Sequence, residues 1–299
     1  NDTQPLIPPG GGDALQELVH KVAPTDANIL ITGENGTGKE VLAREIHRLS
    51  KRNAKQMVTV DMGAITETLF ESELFGYVRG AFTDAKSDKP GKMELAEGST
   101  LFLDEIGNLS YPLQAKLLTA LQRRTITRLG GTKEIPINIR LISATNRNLQ
   151  DMVREGTFRE DLLYRMNTIC LHLPPLRERK DEIIPLAQQF IKKFSDFYNK
   201  TPIEIDVKTC QQLLEYSWPG NIRELEHTME RAVIIGEISI PHSPLPTSHS
   251  STPSASLASM ERDLIARTIR ECDGNLTLVA QRLDIARQTL YNKIKKYGL

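Results

Sequence analysis

The sequence predicts an α/β fold in which a parallel sheet is flanked by helices. A helical subdomain follows, and then a small all-α domain at the C-terminal end. Three observations carry this. Short apolar, β-branched runs alternate with segments of helical periodicity in the first half of the chain. Those runs, ANILITG, MVTVDM, TLFLDE and INIRLISATN, read as buried on both faces, as parallel strands are. From about Leu176 the β-type runs fade and helical spacing takes over.

The elements follow in order. DALQELVHKVA places Leu15, Leu18, Val19 and Val22 at helical spacing. ANILITG is a strand ending in glycine, and EVLAREIHRL is helical again. The three later runs alternate with helical segments, which implies parallel pairing through right-handed crossovers. IIPLAQQFIKKFSDFY, CQQLLEYSW and NIRELEHTMERAVII supply the helical subdomain. Pro241, Pro244, Pro246 and Pro253 then sit among serines and threonines, with little apolar material to bury, as in an extended linker. The expected division is 1–173, 174–236, a linker over 237–256, and a tail domain over 257–299.

The tail divides into SLASMERDLIARTIREC, LTLVAQRL and RQTLYNKIKKYG, with a short turn at Asp284 and Ile285. Helix, tight turn and basic helix form a helix-turn-helix arrangement, the last helix sized for the major groove of double-stranded DNA. Arg287, Gln288 and Thr289 open that helix where side chains meet base edges, and Asn292 and Lys293 lie one turn on. Lys295 and Lys296 are placed for phosphates. So small a domain makes few phosphate contacts, and dimeric binding to paired half-sites is expected.

Composition bounds the rest. The 299 residues carry 38 Lys plus Arg and 38 Asp plus Glu, a net charge of zero. That excludes a polybasic coat for nucleic acid and an acidic solvating chain. No run approaches the roughly 18 apolar residues of a membrane span, so no membrane partner is expected. Cys170, Cys210 and Cys272 are odd in number and form no CxxC pair, which fits a reducing, cytoplasmic setting.

The chemistry sits in two segments. Gly33, Glu34, Asn35, Gly36, Thr37, Gly38 and Lys39 match GxxxxGK directly after a strand and before a helix. Glycines let backbone N–H groups approach a phosphate, the helix contributes its positive end, and the lysine reaches the terminal phosphates. Glu40 stands where a Ser or Thr commonly touches magnesium. TLFLDE ends an apolar strand in Asp104, able to hold Mg²⁺, and Glu105, placed to polarise a water. Together these segments read as a site for ATP hydrolysis with ATP and Mg²⁺.

GENGTGKEVLAREIH, ESELFGYVRGAFTDA, GSTLFLDEIGNLS, LQAKLLTALQ, FREDLLYRMN, LPPLRER and WPGNIRELE resemble successive motifs of one family. It is the sigma-54-dependent transcription activators, bacterial enhancer-binding proteins of the nitrogen-regulator type, whose central domain is an AAA+ P-loop ATPase. The likeness covers about 13–236, and 257–299 resembles a Fis-type helix-turn-helix. In this family glutamate normally follows GK, as Glu40 does here. The resemblance implies that Thr145 and Asn146 sense the γ-phosphate and that Arg223 is a second sensor on the lid. It implies that Arg159 and Arg165 are arginine fingers reaching a neighbouring subunit's ATP, in a homo-oligomer from dimer to hexameric ring. It implies that Gly80, Ala81, Phe82, Thr83, Asp84 and Ala85 grip sigma-54 of the RNA polymerase holoenzyme.

Two positions depart from the family pattern. Asp84 stands where GAFTGA has glycine, and Asp61 where asparagine usually orients the catalytic glutamate. Asp61 beside Glu105 would be two carboxylates in one site, whose repulsion raises one pKa. The function implied is remodelling of sigma-54 holoenzyme to the open complex by the C-terminal part of a response regulator. The alternative is a DNA-bound repressor, or an activator with another sigma factor, in which ATP controls assembly only.

Overall fold

The computed structural model describes residues 12–63 and 67–240, together with 268, 276, 279, 280, 290, 293 and 294. The chain forms two compact units, Asn1–Ser243 and Pro244–Leu299.

In the first unit the strands are β1 (Ile29–Thr32), β2 (Val58–Asp61), β3 (Gly76–Tyr77), β4 (Lys89–Pro90), β5 (Thr100–Asp104), β6 (Thr125–Thr127), β7 (Glu134–Pro136), β8 (Arg140–Thr145) and β9 (Ile169–His172). Its helices are α1 (Gly12–Val22), α2 (Lys39–Arg48), α3 (Glu67–Phe75), α4 (Lys92–Leu95), α5 (Tyr111–Arg123), α6 (Leu149–Arg154), α7 (Glu160–Met166), α8 (Lys180–Tyr198), α9 (Val207–Glu215) and α10 (Asn221–Ile235).

Five strands make one sheet in the order β2-β5-β8-β1-β9, every pair parallel. The period of two along each strand sorts its side chains into two layers. Leu30, Leu101, Leu103 and Leu141 face a core with α5 and α7, while Ile29, Ile31, Phe102, Ile142 and Ala144 face one with α1 and α2. The four apolar runs singled out in the sequence are β1, β2, β5 and β8. The edge strand β9, with the sequence ICLH, was not anticipated, because its alternating buried and exposed residues lack the continuous apolar signature.

Parallel pairing brings the C-terminal ends of the strands to one edge. Asp61 lies in register with Asp104, and Thr32 with Thr145. Arg140, buried at the opposite end of β8, donates to the carbonyls of Val22, Ala23 and Ala27 and so ties α1 to the sheet.

Residues 176–240 form a helical layer of their own, α8 to α10, whose core includes Phe190, Leu213, Leu225, Met229 and Trp218. Trp218 is fully buried and donates from Nε1 to the Leu213 carbonyl, which marks it as a packing residue. In the second unit the described residues Thr268, Leu276, Val279, Ala280, Leu290, Lys293 and Ile294 are helical, with Thr268, Val279, Ala280 and Leu290 buried. Among the described residues no helix is long and apolar enough to cross a membrane.

Candidate nucleotide-binding site

The loop between β1 and α2 is shaped by its glycines. Gly36 and Gly38 have φ of 77° and 98°, left-handed values that a Cβ opposes. At Gly36 a Cβ would also lie 2.3 Å from the Gly220 carbonyl oxygen. The loop closes on its lysine, since Lys39 Nζ donates to the carbonyls of Gly33 at 3.0 Å and Glu34 at 3.1 Å. Burial lowers the pKa of Lys39, against the opposing charges of Glu105 and Asp104.

Glu105 follows β5 with φ at 54°, a left-handed backbone costing roughly 1–3 kcal/mol for a residue with a side chain. That turn directs its carboxylate back over the strand ends. Glu105 Oε1 lies 3.7 Å from Lys39 Nζ, and Oε2 accepts from the Asn146 N–H at 3.4 Å. Asp104 accepts from the Glu105 N–H at 3.0 Å. Its pKa is raised, first by burial and then by the charge of Glu105, with Asp61 the smallest contributor. The repulsion expected from Asp61 thus falls on Asp104, its neighbour in register, where it is a minor effect beside burial. Asp61 turns onto its own chain, accepting from the Gly63 N–H at 2.8 Å.

These groups line one cleft of about 550 Å³, shared by Asn35, Gly36, Gly38, Lys39, Glu40, Asp61, Asp104, Glu105, Asn146 and, from α10, Arg223. Thr145 is fully buried, and its hydroxyl accepts from the Arg147 N–H, so it supports the strand end from behind the cleft wall. Among the described residues no cluster of three or more His, Cys, Asp or Glu could hold a metal ion alone. Asp104, half-buried beside the phosphate loop, nevertheless suits Mg²⁺, which takes one or two carboxylates and completes its shell with phosphates and water. The glycine cradle and buried lysine fit phosphates in the same way.

The helical layer grips the loop from outside. Arg177 donates to Glu34 through both terminal nitrogens, at 2.9 and 2.6 Å. Asn221 donates to the Asn35 carbonyl at 2.9 Å and to Glu34 at 3.2 Å. Ile222 N–H reaches the Gly36 carbonyl at 2.9 Å, and Arg179 the Thr37 carbonyl at 3.2 Å. Arg177, Arg179 and Asn221 stand in the motifs LPPLRER and WPGNIRELE, but their roles in holding the loop were missed. Nothing in spacing marks a residue that hydrogen-bonds a loop far away in the chain.

The other expected residues lie elsewhere. Arg159 caps α7, pairs with Asp161 at 2.7 Å and lies 5.5 Å from the Tyr111 ring. Arg165 donates to the Leu121 carbonyl. Neither lines the cleft of its own chain. Gly80 to Ala85 form the tip between β3 and β4, closed by the Gly80 N–H donating to the Ala85 carbonyl at 2.8 Å. Phe82 is 45% exposed and meets the Tyr77 ring edge-on, while Thr83 and Asp84 are exposed. Asp84 is not among the residues with positive φ, so the turn does not require glycine there. Arg287, Gln288, Thr289, Asn292, Lys295 and Lys296 lie outside the described residues, and Lys293 is helical and half-buried.

A phosphate loop, an acidic strand end and a lid arginine around one cleft, on this sheet order, define a P-loop nucleotide-binding protein of the AAA+ ATPase type. Comparison narrows the class. Residues 12–172 match the sigma-54 interaction domain, 177–259 the AAA+ ATPase lid domain, and 256–297 the bacterial regulatory protein, Fis family. The chain belongs to the sigma-54-dependent transcription activators.

Transcriptional regulatory protein FlbD of Caulobacter vibrioides is 43% identical over 309 residues, covering 94% of this chain and 68% of FlbD. Sigma54-dependent transcriptional activator SfnR of Pseudomonas putida is 51% identical over 221 residues, covering 74% of this chain and 60% of SfnR. The structure of NtrX from Brucella abortus in complex with ATP superimposes with a TM-score of 0.74 at 32% identity, over 97% of this chain and 69% of NtrX. The chain spans between 46% and 68% of the length of the curated relatives it matches.

Proposed function

We propose that this protein is an ATP-hydrolysing activator that binds enhancer DNA and remodels sigma-54 RNA polymerase holoenzyme to the open complex, as the C-terminal part of a response regulator. The observation that carries the reading is the single cleft joining Lys39, Asp104, Glu105, Asn146 and Arg223. Lys39 and the loop N–H groups bind the phosphates, Asp104 holds Mg²⁺, and Glu105 takes a proton from the attacking water. Mg²⁺ supplies neutralisation of phosphate charge. Asn146, braced by Thr145, reads the γ-phosphate, and Arg223 couples it to the lid.

Arg159 and Arg165, outside their own cleft, serve a neighbour's cleft in a homo-oligomer, where a fixed guanidinium offsets charge on the transferred phosphoryl group. The tip from Gly80 to Ala85 engages sigma-54, supported by the exposure of Phe82. Arg287, Gln288, Thr289, Asn292 and Lys293 read bases, and Lys295 and Lys296 meet phosphates. The working parts are 1–173, 174–236, the linker 237–256 and 257–299, and action on bacterial DNA sets the protein in the cytoplasm.

The test is open-complex formation on a sigma-54 promoter, with ATP against a non-hydrolysable analogue. Opening with ATP alone, lost in Glu105→Ala, is the expected result. DNA binding and ATP turnover without opening would instead favour a regulator in which nucleotide serves assembly.

A further inference from the structure

Glu105 and Asp61 stand at the ends of adjacent parallel strands, and both line the cleft. As carboxylates they only accept hydrogen bonds, so neither can hold the other directly. Their hydrogen bonds come from backbone N–H groups, Gly63 for Asp61 and Asn146 for Glu105, the latter at a long 3.4 Å, while Lys39 Nζ stands 3.7 Å from the other Glu105 oxygen. A third side chain reaches the same place. A methyl group built on Gly63 would lie 3.2 Å from Asp61 Oδ1, 3.8 Å from Asn108 Nδ2 and 4.0 Å from Glu105 Cγ. Three side chains therefore converge on one point, and only Asn108 brings donors to it.

Asn108 is built into that position. It ends the short turn Ile106–Asn108, and its N–H donates to the Glu105 carbonyl at 2.9 Å. The middle of the turn is set against the sensor strand, because a Cβ on Gly107 would lie 3.2 Å from Thr145 Oγ1 and 3.1 Å from Arg147 Cδ. The Asn108 side chain is exposed to the cleft, and its amide has no hydrogen-bond partner among the described residues.

We infer that Asn108 is a positioning residue. The two N–H donors of its side-chain amide, unbonded in this structure, bridge Asp61 and Glu105 when ATP fills the cleft, and so hold the Glu105 carboxylate where it meets the attacking water. A chain with asparagine at position 61 could donate to Glu105 directly and would not need the bridge. The inference rests on the hydrolytic reading of the cleft. It adds that the donor which Asp61 lacks is supplied three residues after Glu105.

The experiment measures steady-state ATP hydrolysis for the full chain, Asn108→Ala, Asp61→Asn and the double variant. Thermal melting serves as a check that each is folded. Asn108→Ala is expected to lower kcat about tenfold, with KM for ATP within about twofold, as loss of alignment without loss of binding requires. Asp61→Asn should rescue it, so that adding Asn108→Ala to Asp61→Asn costs less than about twofold. An unchanged kcat in Asn108→Ala, or an equal loss in both backgrounds, overturns the bridge and leaves the hydrolytic reading intact. A folded unsubstituted chain without turnover overturns both.

Discussion

Glu34 shows how one residue of the phosphate loop answers to a distant part of the chain. Hydrogen bonds from Arg177, and then from Asn221, hold its carboxyl at a pKa of about 2, against an ordinary value of 4.5. The folded state therefore binds fewer protons than the unfolded chain in that interval. The stabilisation is complete above 4.5 and is lost as the pH falls towards about 2. Both side chains are more than two fifths exposed, so solvent keeps the effect small. Glu34→Gln is expected to lower the urea midpoint slightly at neutral pH, with the gap to the unsubstituted protein closing as pH drops through that window. A gap that stays constant with pH would mean that the Arg177 pair does not stabilise the fold. Glu34 itself was legible as part of GxxxxGK, but its partners, some 140 and 190 residues away, were not.

At the scale of elements, the β1–α2 loop and the start of α10 form one joint. Gly36 presents its bare Cα to the Gly220 carbonyl, while its own carbonyl accepts from Ile222. Trp218 and Asn221, on either side of Gly220, adopt positive φ of 48° and 52°, so that turn stores strain to make the contact. Gly36→Ala opposes both the left-handed backbone and the 2.3 Å approach. We expect it to weaken ATP binding by at least about tenfold and to lower the melting temperature, because loop and helical layer must separate to admit the methyl group. Titration with a fluorescent ATP analogue and a thermal melt measure the two effects. Unchanged affinity would show that the joint is not part of the binding surface.

At the scale of the whole molecule, the nucleotide cleft and the two arginines Arg159 and Arg165 lie apart in one chain. If Arg159 and Arg165 serve a neighbour's cleft, defects in the two places must complement each other. Glu105→Ala, with intact arginines, and Arg165→Ala, with an intact cleft, should each show little turnover alone. Mixing them should restore a measurable fraction of ATPase activity, since some interfaces then join a sound cleft to a sound arginine. No recovery, in mixtures shown by crosslinking to contain both chains, would make Arg165 an intrachain structural residue. Its hydrogen bond to the Leu121 carbonyl would then be its whole purpose.

Four of the five sheet strands, β1, β2, β5 and β8, were legible in the sequence, as were the helices α1, α2 and α8 to α10, the phosphate loop and the acidic pair that faces it. Those are legible because their physics is local: burial on both faces in β1, β5 and β8, glycines at a phosphate turn, a carboxylate at a strand end. The strand β2, expected to be buried on both faces, lies at the sheet edge and buries only Val60. Contacts across long separations were set by packing. It set Asp61 against Asp104 by strand register, brought Arg177, Arg179 and Asn221 onto the loop, and converged Asn108 with two carboxylates. It also assigned the raised pKa to Asp104, a consequence of burial that no pattern of residues along the chain reveals. Hydrogen bonds and desolvation depend on which surfaces close together, and that is a property of the packed molecule.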